Sequence, residues 1–256
     1  MRVVCTEQHT HEWYKSRLGI PTGSSVWRAF SFLKRASKTG EKGASSATRN
    51  DYMMEKAIEI ITGEPAEHFV SKAMDKGTEY EPKARSEYMF INDVDGDKTG
   101  FILHPSIDRF GTSPDLVVLP DGSAEFKCPL PTTHAEYLRT YWQAKKAGLT
   151  GNDLALAVIP EAYRYQCDSV IACCEVDWCD WCSYAIPAPE EGYPVFPENL
   201  RMLQVRLYRD EARLAELTEG VNRFNEELLE LVEDMRQMHN GALPGSKLQQ
   251  QLRESL

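Results

Sequence analysis

The sequence contains no apolar run approaching the ~18 residues a membrane-spanning helix needs, so no span is expected. Its first residues, MRVVCTEQHTHEW, lack the basic-then-apolar layout of a secretory signal, which points to a cytoplasmic protein. Cysteine is odd in number, seven in all, and free thiols in a reducing compartment are expected rather than a disulfide framework. Basic residues are outnumbered: 29 Lys and Arg against 39 Asp and Glu give a formal net charge of -10. That balance argues against loose, whole-surface binding to nucleic acid. It leaves room for an enzyme whose basic groups line a confined channel, with metal ions adding positive charge. Internal repeats are absent. What is present, 256 residues of ordinary soluble composition, is enough to bury a substantial core in one large domain, with or without extensions.

The most informative stretch runs from Gly111 to Pro129, GTSPDLVVLPDGSAEFKCP. Leu116 to Leu119 form an apolar run, Pro120-Asp121-Gly122 is a turn signal, and Ala124 to Lys127 opens a return strand. Residues two apart in a strand share a face, so Glu125 and Lys127 project together and Phe126 faces away. Asp115, at the mouth of the first strand, can aim at the same spot. Converging carboxylates suit a hard divalent cation such as Mg2+. A neighbouring lysine can orient a water or offset charge on a phosphate. The plain alternative is a surface hairpin with solvated charges.

Around this hairpin the chain reads as alternating helices and strands. Pro21 to Ser24 form a loop, and Ser24 or Ser25 can cap a helix continued by Val26, Trp27, Phe30 and Leu33. Such a helix start offers N–H groups to an anion, with Arg17 just upstream for a bidentate grip on phosphate. An ordinary cap beside a surface arginine is the competing account. From Arg28 to Arg49 six basic residues face one acid, Glu41, and the loop over residues 34–50 suits a phosphate backbone as readily as plain solvent. Helices are expected over Asp51–Gly63, over Ser71–Phe90 with Pro82 as a kink or new first turn, over Thr132–Ala147, and from Pro160 to Cys174. Strands are expected over Phe101–Ile107, Trp178–Ile186 and Met202–Tyr208, with loops at Gly148–Asp153 and Pro187–Pro197. Asp210 caps a long last helix whose stripe, Leu214, Leu217, Val221, Phe224, Leu228, Leu231 and Met235, suits packing on its own sheet or an oligomer contact. Beyond Gly241 the tail is short and polar.

Five cysteines fall between Cys167 and Cys182, and an iron–sulfur or zinc site is conceivable there. Against it, Cys179 and Cys182 sit in a predicted strand, where residues three apart face opposite sides.

Seven ordered motifs then resemble one family. They are RLGIPTGSS (17–25), KAMDKGTEYE (72–81), SPD (113–115), EFKCP (125–129), TTHAEYL (132–138), IPEAYRYQ (159–166) and WCDWCSY (178–184). From about Glu12 to Met235 the chain resembles the phage lambda exonuclease or YqaJ-like viral recombinase group of PD-(D/E)XK nucleases. The resemblance implies an α/β (α+β), restriction-endonuclease-like core, a central mixed sheet flanked by helices with a long C-terminal helix. It implies one exonuclease domain over residues 1–240 and a tail over 241–256. Asp115, Glu125, Glu81 and the Phe126 carbonyl would bind Mg2+ (Mn2+ substituting), two ions per site. Lys127 would position the attacking water, and Gln166 with Tyr163 would support the site. Arg17, Ser24 and Ser113 match a 5'-phosphate pocket, and Lys72 a lysine near the scissile bond. The implied activity is 5'-to-3' digestion of linear double-stranded DNA to mononucleotides, leaving 3' overhangs for phage-type recombination. The implied partners are DNA ends, two further copies in a ring-shaped trimer, and a single-strand annealing protein. The rivals are an endonuclease or iron–sulfur-linked nuclease on the same core, and a non-catalytic DNA-end-binding protein.

Overall fold

A computed structural model describes residues 1–36, 40–65 and 72–240. Its strands are β1 (Arg2–Cys5), β2 (Gly96–Asp97), β3 (Phe101–Leu103), β4 (Gly111–Thr112), β5 (Leu116–Val118), β6 (Gly122–Lys127), β7 (Trp178–Tyr184) and β8 (Met202–Tyr208). Its helices are α1 (His11–Ser16), α2 (Ala47–Thr62), α3 (Lys72–Asn92), α4 (Pro131–Lys146), α5 (Gly151–Val158), α6 (Glu161–Cys174), α7 (Glu198–Arg201) and α8 (Glu211–Asn240).

The expected hairpin is the hub of the main sheet, ordered β2-β5-β6-β7-β8. β5 and β6 pair antiparallel, whereas β6 and β7 pair parallel with Glu125 opposite Trp181 and Lys127 opposite Ser183. A parallel pair needs a crossover, and α4 to α6 provide it. The sheet is therefore mixed, with helices on both faces. On one, Ala84 and Tyr88 of α3 pack against Leu116, Ala124, Phe126, Cys182 and Tyr184. On the other, Cys167, Val170 and Ile171 of α6 pack against Cys179, Trp181, Val205 and Leu207. Cys179 and Cys182 thus fall on opposite faces, as strand alternation requires. All seven cysteines are free and buried.

Several boundaries differ from the sequence reading. The expected Phe101–Ile107 strand stops at Leu103 and joins β1 and β4 in a separate three-stranded sheet. Residues 151–158, read partly as loop, form α5. Pro82 lies inside one continuous α3. The helix expected after Ser25 is a five-residue 3-10 turn, Val26–Phe30, with no side-chain cap from Ser25, so it offers no helix dipole to an anion. The α8 stripe is core, as favoured, but not against the sheet: Leu214, Leu217 and Val221 meet the α6 side of the core, and Phe224, Leu228 and Val232 meet Tyr52, Met53 and Ala57 of α2. Asp210 does cap α8, accepting from the Arg213 N–H at 2.9 Å. Two basic residues assigned to a phosphate-contacting stretch are internal instead. Arg28 pairs with Glu55 at 2.7 Å, and the buried Arg49 pairs with Glu227 at 2.8 Å and donates to the Ala29 carbonyl. Lys38 and the tail from Gly241 lie outside the described residues.

His134, wholly buried on α4, links helix, sheet and connector: Nδ1 lies 2.8 Å from the Ser183 hydroxyl and Nε2 2.8 Å from the Leu200 carbonyl. The carbonyl requires Nε2 to donate, so the neutral ring accepts at Nδ1. Burial pulls its pKa below the ordinary 6.5, with the Leu200 carbonyl opposing. A depressed imidazole means the unfolded chain binds more protons. Its contribution is complete above pH ~6.5 and fades as pH falls toward the folded-state pKa. The melting temperature should therefore drop between pH 7.5 and 5.5, less steeply in His134→Asn; an unchanged slope in that variant would contradict this.

Candidate active site

Strand β6 and helix α6 form the floor of the site. Glu125 and Lys127 share a face of β6, and Lys127 Nζ donates to Glu125 Oε2 at 3.3 Å. Asp115, one residue ahead of β5, turns back so that Oδ2 accepts from the Phe126 N–H at 2.8 Å. Lys127 Nζ lies 4.0 Å from that same oxygen. Gln166 of α6 donates its side-chain N–H to Glu125 Oε2. One Glu125 oxygen thus carries two donors. The other, Oε1, is buried without a hydrogen-bond partner among the described residues.

The electrostatics follow from this crowding. Burial, then the Asp115 charge, push the Glu125 carboxyl well above its ordinary 4.5. Burial works against the Lys127 ammonium, but Glu125 and Asp115 outweigh it and push the pKa up. Lys127 also lies 5.5 Å from the Tyr163 ring, which stacks on Trp181. Glu81, on α3, is raised by burial and by Asp115. Its carboxylate sits 3.5 Å from Arg85 and 3.8 Å from Lys98.

These residues test the expected metal. A bare buried carboxylate oxygen is costly, and a cation at Oε1 would satisfy it. The convergent donors are all oxygens, as a hard cation prefers, and Mg2+ commonly takes only one or two carboxylates, completing its shell with water and substrate phosphate. Asp115 and Glu125 fit that pattern. Among the described residues no three Asp, Glu, His or Cys side chains form a ready-made metal group; Glu81 lines the same cavity, beside Arg85 and Lys98.

The opposite wall is organised by an indole. Trp13 of α1, buried, donates Nε1–H to the Ser113 hydroxyl at 2.8 Å. The Arg17 guanidinium lies over the Trp13 ring, 3.8 Å from its centroid. Arg17 is half-buried, burial lowers its pKa, and its guanidinium has no hydrogen-bond or ion-pair partner among the described residues. The loop carrying Ser24 is pulled against β4 by a Gly23 N–H to Gly111 carbonyl bond of 2.9 Å. A side chain at Gly23 would meet Thr112 Oγ1 at 2.6 Å, so only glycine allows that approach.

Both walls enclose one cavity of about 530 Å3. The expected metal-side residues Asp115, Phe126, Lys127, Glu81, Tyr163 and Gln166 line it, and so do Arg17, Ser24 and Ser113 from the other side. Lys72 opens α3, but its side chain lies outside the described residues. Sequence reasoning missed Gln8, His9 and Trp13, which also line the cavity. It also missed Arg85, whose i,i+4 spacing from Glu81 was the available signal.

A family model described as the YqaJ-like viral recombinase domain matches residues 12–177. An alkaline exonuclease from Laribacter hongkongensis is similar over 90% of this chain and 98% of its own, at 30% identity and a TM-score of 0.69. The same exonuclease in complex with dAMP gives 29% identity and a TM-score of 0.71 over the same shares. A phage-related exonuclease from Haemophilus somnus 129PT shares the fold, at 18% identity and a TM-score of 0.63, over 84% of this chain and 96% of its own. No curated protein matches the sequence.

Proposed function

The chain belongs to the YqaJ-like viral recombinase family, and on that footing we propose a Mg2+-dependent exonuclease that digests linear double-stranded DNA in the 5'-to-3' direction. The products are mononucleotides and 3' single-stranded overhangs for phage-type homologous recombination. The observation that carries this reading is the single cavity in which the Asp115, Glu125 and Lys127 group faces the unpartnered Arg17 beside Ser113. One side suits hydrolysis of a phosphodiester and the other suits a terminal phosphate. The Laribacter neighbour's dAMP complex has the chemistry of a mononucleotide product and supports the same reading.

Asp115, Glu125 and the Phe126 carbonyl would hold Mg2+, with Mn2+ able to substitute and Glu81 joining for a second ion. When bound, the metal supplies charge neutralisation at the phosphate and a more acidic water. Lys127 orients the attacking water by donating to it, and Gln166 fixes the Glu125 carboxylate. Arg17, Ser24 and Ser113 grip the 5'-phosphate, and Lys72 is assigned to the region of the scissile bond. Water attacks phosphorus and the bond to the 3'-oxygen breaks. The departing nucleotide keeps its 5'-phosphate and gains a 3'-hydroxyl, while the strand left behind carries a new 5'-phosphate, the group the pocket reads in the next cycle. A ring-shaped homotrimer around DNA, handing the overhang to a single-strand annealing protein, belongs to the same proposal. With Arg28 and Arg49 engaged internally, the basic lining of its bore would fall to residues such as Lys34, Arg35 and Lys42.

The test is digestion of linear and covalently closed circular duplexes with Mg2+ or EDTA, using wild-type protein and Lys127→Ala. Mg2+-dependent loss of linear DNA alone, absent in the variant, is expected. Cleavage of circles would replace the exonuclease with an endonuclease. Binding of ends without cleavage under Mg2+ or Mn2+ would leave a non-catalytic end-binding protein.

A further inference from the structure

His9 stands at the rim of the cavity on a backbone that L-residues seldom adopt, with φ at 64°. Left-handed backbone is uncommon outside glycine; when such a conformation is held at a binding cleft, it raises the question of what the side chain does there. The conformation is fixed from both flanks. Gln8 donates Nε2–H to the Thr99 carbonyl at 2.8 Å and to the Pro114 carbonyl at 3.0 Å. On the other flank the Thr10 hydroxyl accepts from the Trp13 N–H at 3.2 Å and so caps α1. The His9 imidazole is thereby set against Trp13, with ring centroids 5.1 Å apart and planes 44° from parallel.

That contact places His9 in company with the phosphate-gripping group. Trp13 also carries the Arg17 guanidinium and holds the Ser113 hydroxyl, so one indole gathers all three. The His9 ring feels burial first, then the Lys98 and Arg17 cations, with the Asp115 carboxylate opposing. It lies within electrostatic reach of both walls of the cavity. The imidazole is exposed and makes no hydrogen bond among the described residues, so its ring nitrogens are available to a ligand.

We propose that His9 is a specificity-determining residue for the substrate's 5' end, its imidazole donating a hydrogen bond to the terminal phosphate held by Arg17, Ser24 and Ser113. This rests on the reading of that wall as a 5'-phosphate pocket. Hydrogen bonds to charged groups are among the stronger ones. Loss of this bond should weaken the preference for 5'-phosphorylated ends about tenfold.

The experiment compares kcat and KM on linear duplexes bearing 5'-phosphate or 5'-hydroxyl ends for wild type, His9→Gly, His9→Asn and Arg17→Ala. Glycine suits the left-handed backbone better than histidine, so His9→Gly should melt no lower than wild type yet lose about tenfold of the phosphate preference, mainly through KM. Asparagine tolerates this backbone and offers an amide donor, so His9→Asn should retain most of the preference. A structural role alone would leave the preference unchanged in the glycine variant. Full preference in His9→Gly, alongside its loss in Arg17→Ala, overturns this proposal and keeps the pocket. A wild-type protein with no preference, or full preference in Arg17→Ala, removes the pocket reading and this proposal with it.

Discussion

Glu125→Gln should lower kcat by at least about 1,000-fold and abolish the thermal stabilisation that Mg2+ gives the wild type. Both effects have one cause. Glu125 is a fully buried carboxylate beside a second carboxylate, and both burial and Asp115 penalise its charge. Its Oε1 has no hydrogen-bond partner among the described residues. The chain therefore maintains, at a cost to its own stability, an oxygen that a cation can satisfy. A neutral amide of the same shape can still accept from Gln166, but it leaves the Lys127 ammonium with Asp115 as its remaining carboxylate partner and is a poor ligand for a hard cation. Thermal melts of both proteins with and without Mg2+ give a second readout: the metal should raise the wild-type melting temperature and not the variant's. A variant that keeps wild-type turnover would remove Glu125 from the metal site.

Asp180→Ala should destabilise the fold by about 2–4 kcal/mol. Asp180, buried on β7, receives both arms of the Arg206 guanidinium at 2.8 Å and the Tyr88 hydroxyl at 2.7 Å. Arg206 in turn lies 3.5 Å over the Trp178 ring. Truncation strands the Tyr88 hydroxyl in the core. Arg206 is over a third exposed and can be rehydrated, which keeps the loss below that of a fully buried pair. For a chain of this size the melting temperature should fall by roughly 5–15 °C. Tyr88 sits on α3, two turns beyond Glu81, so this network also fixes the helix that carries the third carboxylate. Double substitution of Asp180 and Tyr88 should cost less than the sum of the single changes. Additive losses would mean the two side chains do not act as a unit.

What was legible in the sequence is what local chemistry dictates. The β5–β6 hairpin announced itself through a turn signal after an apolar run, and the placement of Glu125 and Lys127 on one face followed from strand period alone. β8 matched residue for residue, because its apolar alternation ends at a helix cap. Less local features were misread. Helix α5 is short, preceded by Gly148 and opened by Gly151, so loop chemistry masked it. Arg28 and Arg49 looked like members of a basic loop because nothing near them in sequence reveals their partners, Glu55 at 27 positions from Arg28 and Glu227 at 178 from Arg49. Trp13 went unassigned for the same reason: its partner Ser113 is 100 positions away. The α8 stripe was read correctly as core, but the choice of α2 and α6 as its partners is a tertiary decision with no local signature.

A cavity that hydrolyses phosphodiesters while reading a 5' end, as proposed, must release nucleotides from that end first. The most direct measurement follows a linear duplex carrying distinct labels at the 5' and 3' termini of one strand, digested in Mg2+ over time. The 5' label should appear first, as a mononucleotide, the 3' label should leave that strand only after the 5' label, and EDTA should stop both. Earlier release of the 3' label, or release of the 5' label only within longer oligonucleotides, would contradict it.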